Sequence, residues 1–270
     1  MTTPAGPWRV PMAEAYDQYF SSRHYDQRYP APNPGTLEFL WSQGAHRATR
    51  VLDVGCGNGR YALALLAGGG GELVGCDISR AALAEFSARL QAHPGRERVQ
   101  LVLGGPEDVP AGTGFDCLLM LFGVLGHIGP RTERIRALRA MRARATEQAL
   151  LLLSVPSVWR RMPIALVRSA LHRGKVPRED DAWSDIRYHR VIGGRRVDFH
   201  YHLYGLASLE AELAEGGWEV VAARAESVFP ERLVCRSQGF AWLDGCLQRW
   251  LPASLGYGIL VAARPRAMVA

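Results

Sequence analysis

A chain of 270 residues, 48% of them hydrophobic, can bury a sizeable core and fits one α/β domain with elaborations. Its net charge of +6 is carried almost wholly by arginine, since Lys175 is the only lysine, and the charge is spread along the chain as on a solvated surface. The five cysteines (Cys56, Cys76, Cys117, Cys235, Cys246) form no CxxC pair, the N-terminus has no apolar leader and no apolar run is long enough to cross a bilayer, which argues against disulfides, zinc and membrane insertion and points to a soluble, cytoplasmic protein.

The first segment carries Tyr16, Tyr19, Phe20, Tyr25 and Tyr29 among Arg23, His24 and Arg28. These aromatics either approach a ligand or staple the segment to the body of the fold. Pro30, Pro32 and Pro34 interrupt any helix, and Thr36 is placed to cap the next one, through Phe39 and Trp41. VLDVGCGNGR at 51–60 then reads as a buried parallel strand, a glycine turn and a helix start. Glycines in such a turn let a ligand lie against the main chain. The spacing G-x-G-x-G, with Asp53 two residues earlier, departs from the dinucleotide fingerprint, and a carboxylate there suits an ammonium better than a diphosphate. S-adenosylmethionine has such an ammonium and no phosphate. The second strand, 73–76, ends in Asp77, which is placed to accept hydrogen bonds from ribose hydroxyls or to cap a helix, with Ser79 as competitor for the cap.

The helix 80–91 sets Leu83, Phe86 and Leu90 on one face, and a third strand at 99–103 leads into Gly104-Gly105-Pro106-Glu107-Asp108. A fourth strand, 115–121, precedes FGVLGH; in a doubly wound sheet that segment borders the ligand crevice, so His127 is a candidate base or a residue that positions the next helix. That helix, 131–145, sets Arg134, Arg136, Arg139, Arg142 and Arg144 around an apolar stripe, and a fifth strand spans 149–155. From 156 to 206 the βα rhythm stops. Tyr188 to Ile192 and Arg196 to Tyr201 flank Gly193-Gly194 as a hairpin, rich in polar aromatics and imidazoles. His200 and His202 share one side of that strand, which fits a hydrogen-bonding surface better than a metal site because no third ligand is evident. A helix at 206–215 and strands at 218–223 and 257–264 complete the pattern, and the aromatics Phe240, Trp242 and Trp250 between those strands read as core.

VLDVGCGNGR and LVGCDIS resemble the first two motifs of class I S-adenosylmethionine-dependent methyltransferases, of the methyltransferase-11/25 type. RYPAPNPGTLEFL, the Asn58-Gly59-Arg60-Tyr61 ending and FHYHLYGLASLEAEL resemble, more patchily, the tRNA wobble-uridine carboxyl methyltransferases and their bacterial relatives. The resemblance implies a Rossmann-like α/β fold, a seven-stranded sheet of order 3-2-1-4-5-7-6 with strand 7 antiparallel. It divides one domain into an N-terminal lid and helix (1–48), a cofactor-binding half (49–155), a substrate cap (156–206) and a C-terminal completion (207–270). It implies S-adenosyl-L-methionine as cofactor, held by Asp53, Gly55, Cys56, Gly57, Asp77, Ile78, Glu107, Leu121 and Tyr29. Relatives usually carry an acid near Gly105, beside the adenine; this chain does not, and Glu107 or Asp108 is the substitute, unless both are loop charges. His127 matches the second histidine of a His-His pair whose first is Gly126 here. His127 and His202 are the candidate catalytic residues, and Tyr25, Arg160, Tyr188, Arg190 and Tyr201 the candidate substrate contacts, with no metal. The expected reaction is methyl transfer to oxygen or nitrogen of a small molecule. A tRNA carboxyl acceptor and a non-catalytic S-adenosylmethionine-binding module are the other readings. No membrane and no obligate protein partner are expected.

Overall fold

The computed structural model describes residues 8–112, 114–161 and 184–267, and of these every side chain except those of residues 160 and 161. The apolar stretch 164–171, the charged run 178–181 and Trp183 lie outside the described residues. Seven strands form one sheet in the order β3-β2-β1-β4-β5-β9-β8. They are β1 (Arg50–Val54), β2 (Glu72–Asp77), β3 (Val99–Leu103), β4 (Phe115–Met120), β5 (Ala145–Pro156), β8 (Trp218–Ala225) and β9 (Gly258–Pro265). The first five are parallel, and β9 runs antiparallel to both β5 and β8. Counting only the strands of this sheet, that is the expected 3-2-1-4-5-7-6 order.

Alternation along the strands divides the interior into two cores, one on each face of the sheet. Leu52, Val54, Leu118 and Met120 face a core with Leu138 and Met141 of α7 (Arg131–Arg142) and Leu209 and Leu213 of α9 (Leu206–Glu215). Val51, Cys117 and Leu119 face the other, with Leu40 of α3 (Pro34–Ser42), Leu65 of α4 (Arg60–Ala67) and Phe86 of α5 (Arg80–Leu90). Two short helices follow β4 and β5: α6 (Val124–His127) and α8 (Val158–Arg161). The hairpin is present, as β6 (Asp185–Ile192) and β7 (Arg195–His202), in a separate two-stranded sheet. Two helices at the N-terminus, α1 (Arg9–Ser21) and α2 (His24–Arg28), pack against α5 and β7.

Three local expectations are corrected. Helix α3 begins at Pro34, two residues before Thr36, because proline at the first helical position removes an N–H that has no partner there. Its cap is Asn33, whose Oδ1 accepts the Gly35 N–H at 3.0 Å. Arg134 and Arg144 are buried instead of outward: Arg134 donates three bonds to Glu212, at 2.7, 3.0 and 3.2 Å, and Arg144 donates to the Val109 carbonyl at 2.6 Å. The helix α11 (Gln238–Gln248), which follows the short α10 (Glu231–Val234), is inverted. Its polar Asp244 and Gln248 are buried and bond the backbone of 225–229, while Phe240, Trp242, Leu243 and Leu247, and Trp250 just beyond it, are exposed. Unpaired backbone groups in the loop before it demand hydrogen-bonding side chains, and that demand sets the helix face. Among the described residues no helix is long and apolar enough to cross a membrane.

Asn33 is fully buried, and its Nδ2 donates to Ser227 Oγ at 2.8 Å as well. Asn33→Ala removes a helix cap and leaves Ser227 without that donor, so chemical denaturation should show a loss of about 1–3 kcal/mol.

Candidate functional site

The glycine turn is held by packing and by one carboxylate. Gly55, Gly57 and Gly59 all have positive φ, at 70, 55 and 77°. A Cβ on Gly55 would lie 2.4 Å from the Val124 side chain, and one on Gly59 2.2 Å from Phe86, so each glycine is required by a neighbour from another element. Asp77, at the end of β2, accepts the Gly57 N–H through Oδ2 and the Ser79 N–H through Oδ1, both at 2.8 Å. Ser79 is the cap of α5, accepting the Ala82 N–H at 3.1 Å, which resolves the competition between these two residues.

Asp53 and Asp77 are both buried in the cleft above this turn. Burial, reinforced by the Asp77 charge, pushes the Asp53 carboxyl up to about 7. Burial also raises Asp77, to about 6, against the two backbone N–H groups that favour its ionised form. A cation beside them would offset the cost of ionising two adjacent buried carboxyls.

Helices α1 and α2 close the cleft. Arg9 pairs with Glu107 Oε1 at 2.8 Å and with Asp108 Oδ2 at 2.6 Å, fixing the loop after β3. Asp17 Oδ1 accepts Ser79 Oγ–H at 2.7 Å and the Ala81 N–H at 3.0 Å. Asp26 Oδ1 accepts from Asn58 Nδ2 at 2.6 Å and from Arg89 at 2.7 Å. Tyr16 and Phe20 thereby reach the cleft wall. The remaining wall contains Asp53, Gly55, Cys56, Gly57, Asp77, Ile78, Glu107 and Leu121. Every cofactor residue expected from the sequence is therefore on one wall, except Tyr29.

Tyr29 lines a second cavity, of about 660 Å³, between the N-terminal helices, the β6–β7 hairpin and the segment 226–232. Tyr188, Arg190 and Tyr201 line it too, and Tyr25 and His127 are on the walls of both cavities. The His127 ring is stacked on Tyr201 at 4.3 Å and meets Tyr16 edge-on at 5.5 Å. Its Nδ1 lies 2.7 Å from the His200 carbonyl oxygen. A carbonyl only accepts, so in the neutral ring the proton is on Nδ1 and the lone pair on Nε2. His202 lines neither cavity. It is buried against Tyr204, with Nδ1 bonded to Asp185 Oδ1 at 2.6 Å, and burial holds its pKa below the usual histidine value. Its position in the strand put it one face away from the chamber. The Arg160 side chain lies outside the described residues. No group of three or more His, Cys, Asp or Glu that could hold a metal ion occurs among the described residues.

Phe122 and Arg60 were not singled out from the sequence. Phe122 has φ of 61°, rare for a bulky side chain, and is held there by its N–H donating to Ser154 Oγ at 2.7 Å. The Phe122 ring sits 4.7 Å from that of Tyr29 and under the Arg60 guanidinium at 4.5 Å. Arg60 in turn pairs with Glu231 at 3.3 Å. The available signal was the position of each residue: Phe122 follows the fourth strand directly, and Arg60 follows the last glycine of the turn.

Residues 51–147 match the family described as methyltransferase domain. That segment is similar to methyltransferase domains, and the seven-stranded sheet around it has the class I fold. None of the curated proteins matches the chain. Among solved structures it is similar to the CcbJ methyltransferase of Streptomyces caelestis, at 19% identity and TM-score 0.63 over 88% of this chain and 91% of that one. A DhpI–SAM–HEP complex is similar at 16% identity and TM-score 0.65, over 97% of this chain and 100% of that one. The 1,6-didemethyltoxoflavin-N1-methyltransferase of Burkholderia thailandensis is similar at 17% identity and TM-score 0.59, over 99% and 94%. The cleft fits S-adenosylmethionine, the cofactor expected from the sequence: two buried carboxyls suit a cationic ligand and a glycine turn exposes its backbone to the same cleft.

The Asp53 shift has a direction in stability. Its folded pKa of about 7 lies above the unfolded carboxyl value, so its contribution is fully present below about pH 4 and is lost as pH rises through 7. In ligand-free protein, Asp53→Asn should raise the melting temperature at pH 8 by roughly 3 °C or more, with the gain shrinking toward pH 5. Scanning calorimetry across that range measures it.

Proposed function

We propose that the protein transfers the methyl group of S-adenosylmethionine to an oxygen or nitrogen of a small molecule held in the second cavity. The observation that carries this reading is the shared wall of Tyr16, Tyr25, Phe122 and His127, which joins the cofactor cleft to a second chamber. A free-standing cofactor module has no need of such a chamber.

Asp77 would hold the ribose with the acceptor capacity left on its two oxygens, Asp53 would face the ammonium, and the backbone of Gly55 and Gly57 would lie along the cofactor. When bound, the cofactor supplies a methyl activated on cationic sulfur. The chain's own work is to align an acceptor with that methyl, exclude water and, for a hydroxyl or amine, take its proton on His127 Nε2. Tyr201 stacking and the His200 carbonyl orient the imidazole for that step.

The N1-methyltransferase and a glycopeptide N-methyltransferase, MtfA (16% identity, TM-score 0.55), are both named for acceptors that are not nucleic acids, which supports a small molecule. Transfer of tritium from methyl-labelled S-adenosylmethionine into a cell extract split into RNA, protein and small molecules tests the reading. Label in the small-molecule fraction supports it. Nuclease-sensitive label would instead make the acceptor an RNA, and tight cofactor binding with no transfer would leave a binding module. With an acceptor in hand, Asp77→Ala should weaken S-adenosylhomocysteine binding by about tenfold or more in a calorimetric titration. His127→Ala should lower kcat by about a hundredfold with cofactor affinity unchanged.

A further inference from the structure

Arg28 and Arg190 line the second cavity and form no ion pair among the described residues. Arg28 donates through Nε to the Tyr29 hydroxyl at 3.0 Å. Arg190 also donates to the Tyr19 hydroxyl, and its guanidinium lies over the rings of Tyr19, at 4.8 Å, and Tyr188, at 5.5 Å. Each guanidinium thus bonds a phenol oxygen of the N-terminal segment, and among the described residues neither has a carboxylate partner. Neither acid of this wall forms an ion pair with them. Glu231 pairs with Arg60 at 3.3 Å, and Glu226 accepts from Thr36 Oγ1 at 3.4 Å.

Half-buried like charges repel, and water solvates them less well than it would on an open surface. Phenol oxygens orient both guanidiniums without cancelling their charge. What completes such a pair is an oxyanion, which takes charge-assisted bonds from both forks. Arg28 and Arg190 line only the second cavity, whereas His127 lies on the wall shared with the cofactor cleft. An anion at the arginine pair is therefore held apart from the methyl donor.

We infer that the acceptor has two functional groups: an oxyanion (carboxylate, phosphate or phosphonate) seated between Arg28 and Arg190 as a handle, and a separate hydroxyl or amine, near His127, that is methylated. This rests on the methyl-transfer reading and names the substrate class of that site. The Tyr188 and Phe199 rings, stacked at 5.4 Å, leave an aromatic wall beside the handle, so an aromatic body between the two groups suits the chamber.

The test uses the protein loaded with S-adenosylhomocysteine and a matched pair of probes, 4-hydroxybenzoate and its neutral amide, titrated by calorimetry and by ligand-observed NMR. The acid should bind about tenfold or more tightly than the amide, and inorganic phosphate should displace it. Arg28→Met and Arg190→Met should each remove most of that preference while leaving S-adenosylhomocysteine affinity unchanged, which also reports that the variants fold. Arg190→Lys should retain part of it. Equal binding of acid and amide, no binding of either at millimolar concentration, or an undiminished preference in both methionine variants would overturn the inference. Failure of S-adenosylhomocysteine itself to bind the wild-type protein would instead overturn the methyl-transfer reading, and is scored before any probe is added.

Discussion

The architecture of the site depends on the Asp77 carboxylate gripping the backbone of the glycine turn. By accepting the Gly57 and Ser79 N–H groups, it ties the end of β1 to the start of α5 across the tip of β2. The main-chain course that results needs positive φ at three positions and brings Gly55 against Val124. Since Val124 opens the short helix that ends in His127, the cofactor turn and the candidate base are parts of one packed unit. The carboxylate is buried to do this, and burial raises its pKa even with two donors in place. A cationic ligand relieves that cost.

Around this unit the chain adds two covers with different origins. Helices α1 and α2 are latched by charged and polar contacts: Arg9 to the loop after β3, Asp17 to the cap of α5, and Asp26 to Asn58 and Arg89. The β6–β7 hairpin joins the same aromatic cluster through Phe199, which packs edge-on to Tyr16 at 5.6 Å and to Tyr19 at 6.0 Å. The chamber thus lies between two added pieces and shares Tyr16, Tyr25, Phe122 and His127 with the cofactor cleft.

Much of this was legible in the sequence, and what was not has a common cause. The strands of the sheet announce themselves as short apolar runs, and Asp53, Asp77 and the three glycines occupy positions that local chemistry dictates. Long-range pairing is different. Arg9 and Glu107 are 98 residues apart, and Arg134 and Glu212 are 78 apart, so neither contact leaves a local pattern. Arg134 therefore read as an outward charge, although Glu212 and the Tyr204 hydroxyl bury it in a bonded network. The α11 aromatics fail for a related reason. Apolar residues at helical spacing define a face but not its direction, and here the loop at 225–229 claims the polar side. His202 shares a strand face with His200, the face opposite Phe199 and Tyr201, so neither imidazole lines the chamber. The sequence pattern placed the hairpin correctly, but which of its two faces meets the chamber is set by what packs against it.

The hairpin is a separate two-stranded sheet. Its following segment touches the main sheet's continuation through a single isolated bridge, Ser157 to Tyr204. Side chains on its inner face can change without altering the register of any strand that carries the cofactor turn. Tyr201, the His200 carbonyl, Phe199 and Arg190 tie the hairpin to His127 and to α1. A library that keeps those contacts and varies the other chamber-facing positions of the hairpin would reshape the chamber while leaving the cofactor turn as it is, and natural drift has the same freedom.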